Sequence, residues 1–134
     1  MILVDTCVLV DVSTGDSRWK DWSSEQLALW ATRGPLVINP IVFSEWSADF
    51  GSPPAADSAV EAFGLVWNEI PHGALFLASR AHLLYRRRGG TRAMVLPDFL
   101  IGAHAAVEGL PLLTRDRHRF ETYFRGLEIV APNH

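Results

Sequence analysis

The sequence has one cysteine, Cys7, and one lysine, Lys20, in 134 residues. A single thiol excludes an internal disulfide framework and fits a reducing compartment. No stretch reaches the roughly 18 uninterrupted apolar residues that a membrane-spanning helix needs. The apolar opening "MILVDTCVLVDV" is interrupted by Asp5 and Asp11 and lacks a leading basic region, so it does not read as an export signal. These absences predict a soluble, unexported, cytoplasmic protein. Repeats, linkers and low-complexity segments are also missing, which predicts one domain over residues 1–134. A basic excess is missing too. Twelve Lys and Arg against fifteen Asp and Glu give a net charge of −3, which by itself argues against a nucleic-acid partner.

What is present is a globular composition, with 49% apolar and 20% charged residues, five tryptophans and seven phenylalanines. The charge is unevenly spread. Residues 1–67 carry 3 basic and 9 acidic side chains, whereas residues 68–134 carry 9 basic and 6 acidic ones. The arginine clusters, "YRRRGGTR" at 85–92 and "TRDRHRF" at 114–120, lie in the second half. Such clusters are ordinarily solvated faces, so the asymmetry is a weak pointer to a polyanion.

Short apolar runs without alternation at 2–4, 36–38 and 65–67, joined by "PLLT" at 111–114 and "LEIVA" at 127–131, read as buried parallel strands. Helical segments are expected between them: 6–12, 19–32, 39–50 after an Asn39-Pro40 start, a short one ending at Phe63, 74–88, and 97–108. Residues 13–18 read as a turn. This alternation predicts a three-layer α/β/α domain around a parallel sheet of four or five strands.

In open α/β sheets, ligands bind beyond the carboxyl ends of the strands. Asp5 ends "ILVD" and Asp116 ends "LLTRD", while Asp98 and Glu45 sit early in helices that follow, Glu45 on an expected inward face. Each acid also has a purely structural reading. Asp98 complements a helix dipole, Asp116 caps a helix, Glu45 pairs with an arginine and Asp5 ends a strand. Taken together they suggest more. Two like charges 4 Å apart repel by about 4 kcal/mol at an effective dielectric near 20, so four clustered carboxylates call for a cation. Hard oxygen ligands suit Mg²⁺ or Mn²⁺, which can activate water for phosphodiester cleavage. Thr6 and Thr114, beside two of the acids, are placed to orient water or a carboxylate. A dehalogenase-type phosphatase would need an aspartate where Cys7 stands. A receiver domain would need a lysine near the acids, and Lys20 lies in another segment.

The set "VDTCVL" at 4–9, "NPIVFSEW" at 39–46, "LPDFLIGAHA" at 96–105 and "LLTRDRHRF" at 112–120 resembles the PIN-domain family, and more narrowly the VapC-type toxins of bacterial toxin–antitoxin operons. The resemblance implies an Mg²⁺- or Mn²⁺-dependent endoribonuclease that inhibits translation, leaves 5′-phosphate and 3′-hydroxyl ends, and forms a homodimer. It also implies neutralisation by a cognate VapB-like antitoxin. It assigns metal and catalytic roles to Asp5, Glu45, Asp98 and Asp116, with Thr114 as an accessory. Cys7 departs from the serine often found there, and no His-containing partner motif points to it as a nucleophile. Arg115 and Arg117 flank Asp116 as candidate RNA contacts with Thr6. Arg86, Arg87, Arg88 and Arg92 would extend the groove or simply end a helix. His82 and His104 read as packed or surface residues and His118 as a solvent one. Trp19, Trp22, Trp30 and Trp46 divide between core packing and a groove for antitoxin or a second copy. Two alternatives remain open: a PIN-like domain that binds RNA or protein without cleaving it, and a DNA-directed nuclease.

Overall fold

The apolar triplets become strands β1 (Ile2–Val4), β2 (Leu36–Ile38) and β3 (Leu65–Trp67), followed by the two-residue strands β4 (Leu112–Leu113) and β5 (Ile129–Val130). They form one sheet in the order β3-β2-β1-β4-β5, with every pair parallel. Leu3 of β1 aligns with Val37 on one side and Leu112 on the other. This is a computed structural model, and it describes residues 1–91 and 94–133. The inner strands β1, β2 and β4 are wholly buried, which is why they carry unbroken Leu, Ile and Val. At the β3 edge, Val66 and Trp67 are exposed.

Helices flank the sheet: α1 (Thr6–Thr14), α2 (Lys20–Ala31), α3 (Pro40–Ser47), α4 (Pro53–Ala62), α5 (His72–Arg87), α6 (Leu96–Glu108) and the short α7 (Arg117–Glu121). The first extends past the expected stop at Val12. Gly15 is the first residue able to take the left-handed conformation that ends it, at φ 69°. Conversely, α3 stops at Ser47, short of the expected Phe50. Its start follows the sequence: Asn39 Oδ1 accepts from Val42 N at 2.9 Å, and Pro40 opens the first turn. Among the described residues no helix is long and apolar enough to cross a membrane.

Two features of the packing set the site. The first is the small-residue face of α6, where Gly102 lies against the buried rings of Phe120 and Phe124. The second is Tyr85 of α5, whose hydroxyl donates to Thr91 O and accepts from Met94 N, tethering the chain that leads into α6. Arg92, one of the arginines proposed to extend the groove, lies outside the described residues.

His104 is buried on α6, where Asn39 Nδ2 stands 3.0 Å from Nδ1 and Glu108 Oε1 is 3.3 Å from Nε2. Because Asn39 Nδ2 is a donor, Nδ1 must accept and Nε2 must carry the proton. Burial lowers the His104 pKa below its usual value, and Glu108 only partly opposes this. The unfolded chain therefore binds a proton more readily than the folded one. Stability is full above the unfolded pKa, near 6.5, and is lost as pH falls through it toward the lower folded value. Thermal melts should show a falling Tm between about pH 7 and 5, with a shallower fall in His104→Gln. Equal slopes in both proteins would remove His104 as the cause.

Candidate metal and nucleic-acid site

Viewed from the strand ends, the chain runs β1 to β3 on one side and then returns to place β4 on the other side of β1. That reversal leaves a crevice beyond the carboxyl ends of β1 and β4, where such folds place ligands. Asp5 follows β1 directly, and Asp116 lies three residues past β4. Asp98 enters from the first turn of α6 and Glu45 from α3. A pocket of about 600 Å³ is lined by all four acids together with Thr6, Cys7, Val10, Trp19, Arg115 and Arg119.

Three of the acids share a local device. Asp5 Oδ1 accepts from Thr6 N at 2.8 Å, Asp98 Oδ2 from Val95 N at 3.0 Å, and Asp116 Oδ1 from Arg119 N at 3.2 Å. Each carboxylate thus caps a helix N-terminus with one oxygen, a cap expected for Asp116 alone and not for Asp5, and each has a second oxygen for other partners. For Asp5 that second oxygen, Oδ2, accepts from Thr114 Oγ1 at 2.8 Å and Cys7 Sγ at 3.5 Å. Thr114, fully buried, also takes the amide of Asp116 on its hydroxyl at 3.2 Å, so it locks two of the acids to one another.

Burial pushes the Asp5 carboxyl above its usual pKa and the charge of Asp98 adds to this, while the bonds from Thr114, Cys7 and Thr6 pull it back. Burial also pushes the Cys7 thiol up to about 12, with the Asp5 charge adding to the rise, so Cys7 stays a neutral thiol at physiological pH.

Glu45 is exposed, contrary to the inward face expected for it. Val42 and Trp46, one turn apart, take the core, and Glu45 is rotated about 100° from Trp46 toward the pocket mouth. There Thr6 Oγ1 donates to Glu45 Oε1 at 2.6 Å.

Arg119 was not singled out by the sequence reading. Its Nη1 donates to Asp98 Oδ1 at 3.1 Å and its Nε to Asp116 Oδ2 at 3.3 Å, so one guanidinium bridges two acids from different helices. Burial disfavours its charge, yet Asp98 and Asp116, with Asp5 behind them, outweigh this and hold its pKa above the usual value. The available signal was its position three residues after a capping aspartate, where a side chain returns to the cap.

Asp11 was likewise missed. It is buried, accepts from Ser23 Oγ at 2.7 Å, and its Oδ2 lies 3.0 Å from Arg115 Nε. That nitrogen makes no well-angled hydrogen bond, so the contact is ionic. The Arg115 guanidinium also sits 5.5 Å from the Trp19 ring centroid. Arg115 therefore enters the pocket from a fixed base.

The remaining candidates lie elsewhere. Arg117 lines an adjoining smaller pocket that shares Arg115 and Asp116 with the acidic one and also includes His118 and Pro132. Arg86, Arg87 and Arg88 are exposed around the end of α5, outside the acidic pocket. His118 is exposed beside Glu121, and His82 packs on Phe99. Of the four tryptophans considered, Trp46 is fully buried, Trp22 and Trp30 pack partly buried against the core, and Trp19 lines the site.

A family model for the PIN domain matches residues 2–124. The chain belongs to the PIN-domain family. No curated protein sequence gives a significant match. Among solved structures, this PIN domain is similar to VapBC2 from Rickettsia felis bound to a promoter DNA fragment, at 19% identity and TM-score 0.73 over 98% of each chain. It is similar also to VapBC-1 from nontypeable Haemophilus influenzae, at 15% identity and TM-score 0.71, again over 98% of each chain. A third is DNA-bound VapBC from Salmonella typhimurium, at 21% identity, TM-score 0.68 and 98% of each chain. At these identities the likeness is one of fold.

Proposed function

We propose that this PIN domain is a VapC-type toxin, an endoribonuclease dependent on Mg²⁺ or Mn²⁺ that cuts RNA, inhibits translation and is neutralised by a VapB-like antitoxin. The observation that carries this reading is the convergence of Asp5, Glu45, Asp98 and Asp116 on one open pocket at the sheet's switch point. As the side chains stand, no three acids, histidines or cysteines among the described residues are close enough to hold one ion. The donor set nevertheless fits a hard divalent cation. It is all oxygen, and Asp98 and Asp116 already share one positive group in Arg119.

A bound Mg²⁺ or Mn²⁺ would supply Lewis-acid polarisation of the phosphate and activation of water. Asp98, Asp116 and Asp5 would hold such an ion, and Glu45 would serve at the mouth with Thr6 on its carboxylate. Thr114 keeps Asp5 aimed. Arg115, anchored on Asp11 at the pocket wall, presents positive charge to an RNA phosphate.

Partner contacts are supported by exposed apolar side chains, Val66 and Trp67 on β3 and Leu75 and Phe76 on α5, which give surface to an antitoxin and to a second copy. The Rickettsia, Haemophilus and Salmonella structures named above are VapBC complexes.

Purified chain freed of antitoxin should cut RNA in Mg²⁺ or Mn²⁺, stop in EDTA, spare DNA of the same sequence, and leave 5′-phosphate ends. Cleavage that persists in EDTA would refute the metal-dependent reading. RNA binding without cleavage in Mn²⁺ would leave the non-cleaving PIN-like domain in its place.

A further inference from the structure

The four acids are accounted for by the proposed metal site, but the cation among them is not. Arg119 makes three contacts with two of those acids: Nη1 to Asp98 Oδ1, Nε to Asp116 Oδ2 and its own amide to Asp116 Oδ1. It engages the second oxygen of both helix-capping carboxylates, the same oxygens a cation shared by Asp98 and Asp116 would need. The bridge is held by a helix of only five residues, and the Arg119 side chain is 37% exposed at the pocket wall. A long side chain on a short helix can move into the open pocket without disturbing the sheet.

We propose that Arg119 is an internal counter-cation that occupies Asp98 and Asp116 in the metal-free protein and must release them when a divalent ion binds. This rests on the metal-site reading above. The physics is competition. Two carboxylates from α6 and the start of α7 would repel one another without a positive group between them, and Arg119 supplies it within the chain. The same charge opposes the approach of a second cation, so metal affinity is set below what the acids alone would give. Arg119 is a positioning residue here: it acts through Asp98 and Asp116.

A simple structural staple predicts the opposite behaviour. If Arg119 only preorganised the acids, its loss would loosen them and weaken metal binding.

The test is calorimetric titration of Mn²⁺ into the metal-free wild-type chain, Arg119→Gln and Arg119→Lys. Arg119→Gln should bind Mn²⁺ about tenfold more tightly or better, the scale of one close charge contact at intermediate dielectric. Arg119→Lys, which keeps the charge but not the fork, should fall between. A readout on the wild type alone guards against misfolding of the variants. In ¹⁵N spectra of the arginine side chains, the Arg119 Nε–H signal should move with Mg²⁺ and saturate with the binding isotherm. Equal or weaker Mn²⁺ binding by Arg119→Gln, or an Nε–H signal that ignores Mg²⁺, overturns the competition while leaving the metal site standing. Absence of Mn²⁺ binding in wild type and variants alike overturns both.

Discussion

Asp98→Asn is expected to lower RNA cleavage by on the order of 10³-fold while the protein stays folded. The two halves of this expectation come from the two oxygens of the side chain. Oδ2 accepts from Val95 N and starts α6, a task that the amide oxygen of asparagine performs almost as well. Oδ1 faces Arg119 and the pocket, and there the substitution places a neutral NH₂ group that cannot bind a cation. The structural loss is one charge-assisted hydrogen bond to a half-exposed arginine, about 1 kcal/mol. The chemical loss is a full negative charge at a site that must gather positive charge. Initial rates on a defined RNA in Mn²⁺, taken with a thermal melt, separate the two. A variant within tenfold of wild type would mean that Asp98 caps a helix and does nothing more.

The sequence made much of this legible for identifiable reasons. Parallel strands buried on both faces must be unbroken apolar runs, so "ILV" and "LVI" could be placed to the residue. Asp5 and Asp116 were legible because a charge that closes such a run falls beyond the carboxyl ends of the strands, outside the apolar sheet. Glu45 was assigned to the right helix but the wrong side, since a helix of eight residues leaves its buried face to be chosen by what packs on it. Arg119 and Asp11 were not legible. Their roles depend on partners from other helices, Asp98 for one and Arg115 for the other, and no local pattern marks such pairs. The polar core pair of Asn39 and His104 has the same character, linking the start of α3 to α6.

These long-range contacts share one consequence. Asp98 and Asp116 belong to one site only because α6 and α7 pack closely. The acids project from helix starts whose separation is fixed by side chains deeper in the molecule. Thr114 ties Asp5 to the amide of Asp116 from below, and Arg119 ties Asp98 to Asp116 from above. What sets the distance between these ties is the contact between α6 and the two phenylalanines that bracket the end of α7.

Gly102→Val tests that contact and should be the most destabilising single change considered, at about 3 kcal/mol. A Cβ at position 102 would lie 2.4 Å from Phe124 Cε2, 2.7 Å from its Cδ2 and 3.0 Å from Phe120 Cδ1. Both rings are buried, 0% and 4% exposed, and Phe124 also packs against Phe99, so neither can swing aside cheaply. Alanine at 102 regains about 1 kcal/mol of helix propensity, which offsets part of its clash. Valine brings two further methyl groups and the poorer propensity of a β-branched residue. Relief by moving α7 outward would carry Asp116 and Arg119 away from Asp98. Stability and Mn²⁺ affinity should therefore fall together, which a core change remote from the site would not produce. Urea melts should show a lower midpoint with an unchanged slope. Phe124→Leu, itself destabilising, should recover part of the loss when combined with Gly102→Val, because the smaller side chain leaves room for the added methyls. Strictly additive losses in the double variant would mean that the ring does not hold α7 against α6. The closeness of Asp98 and Asp116 would then need another cause.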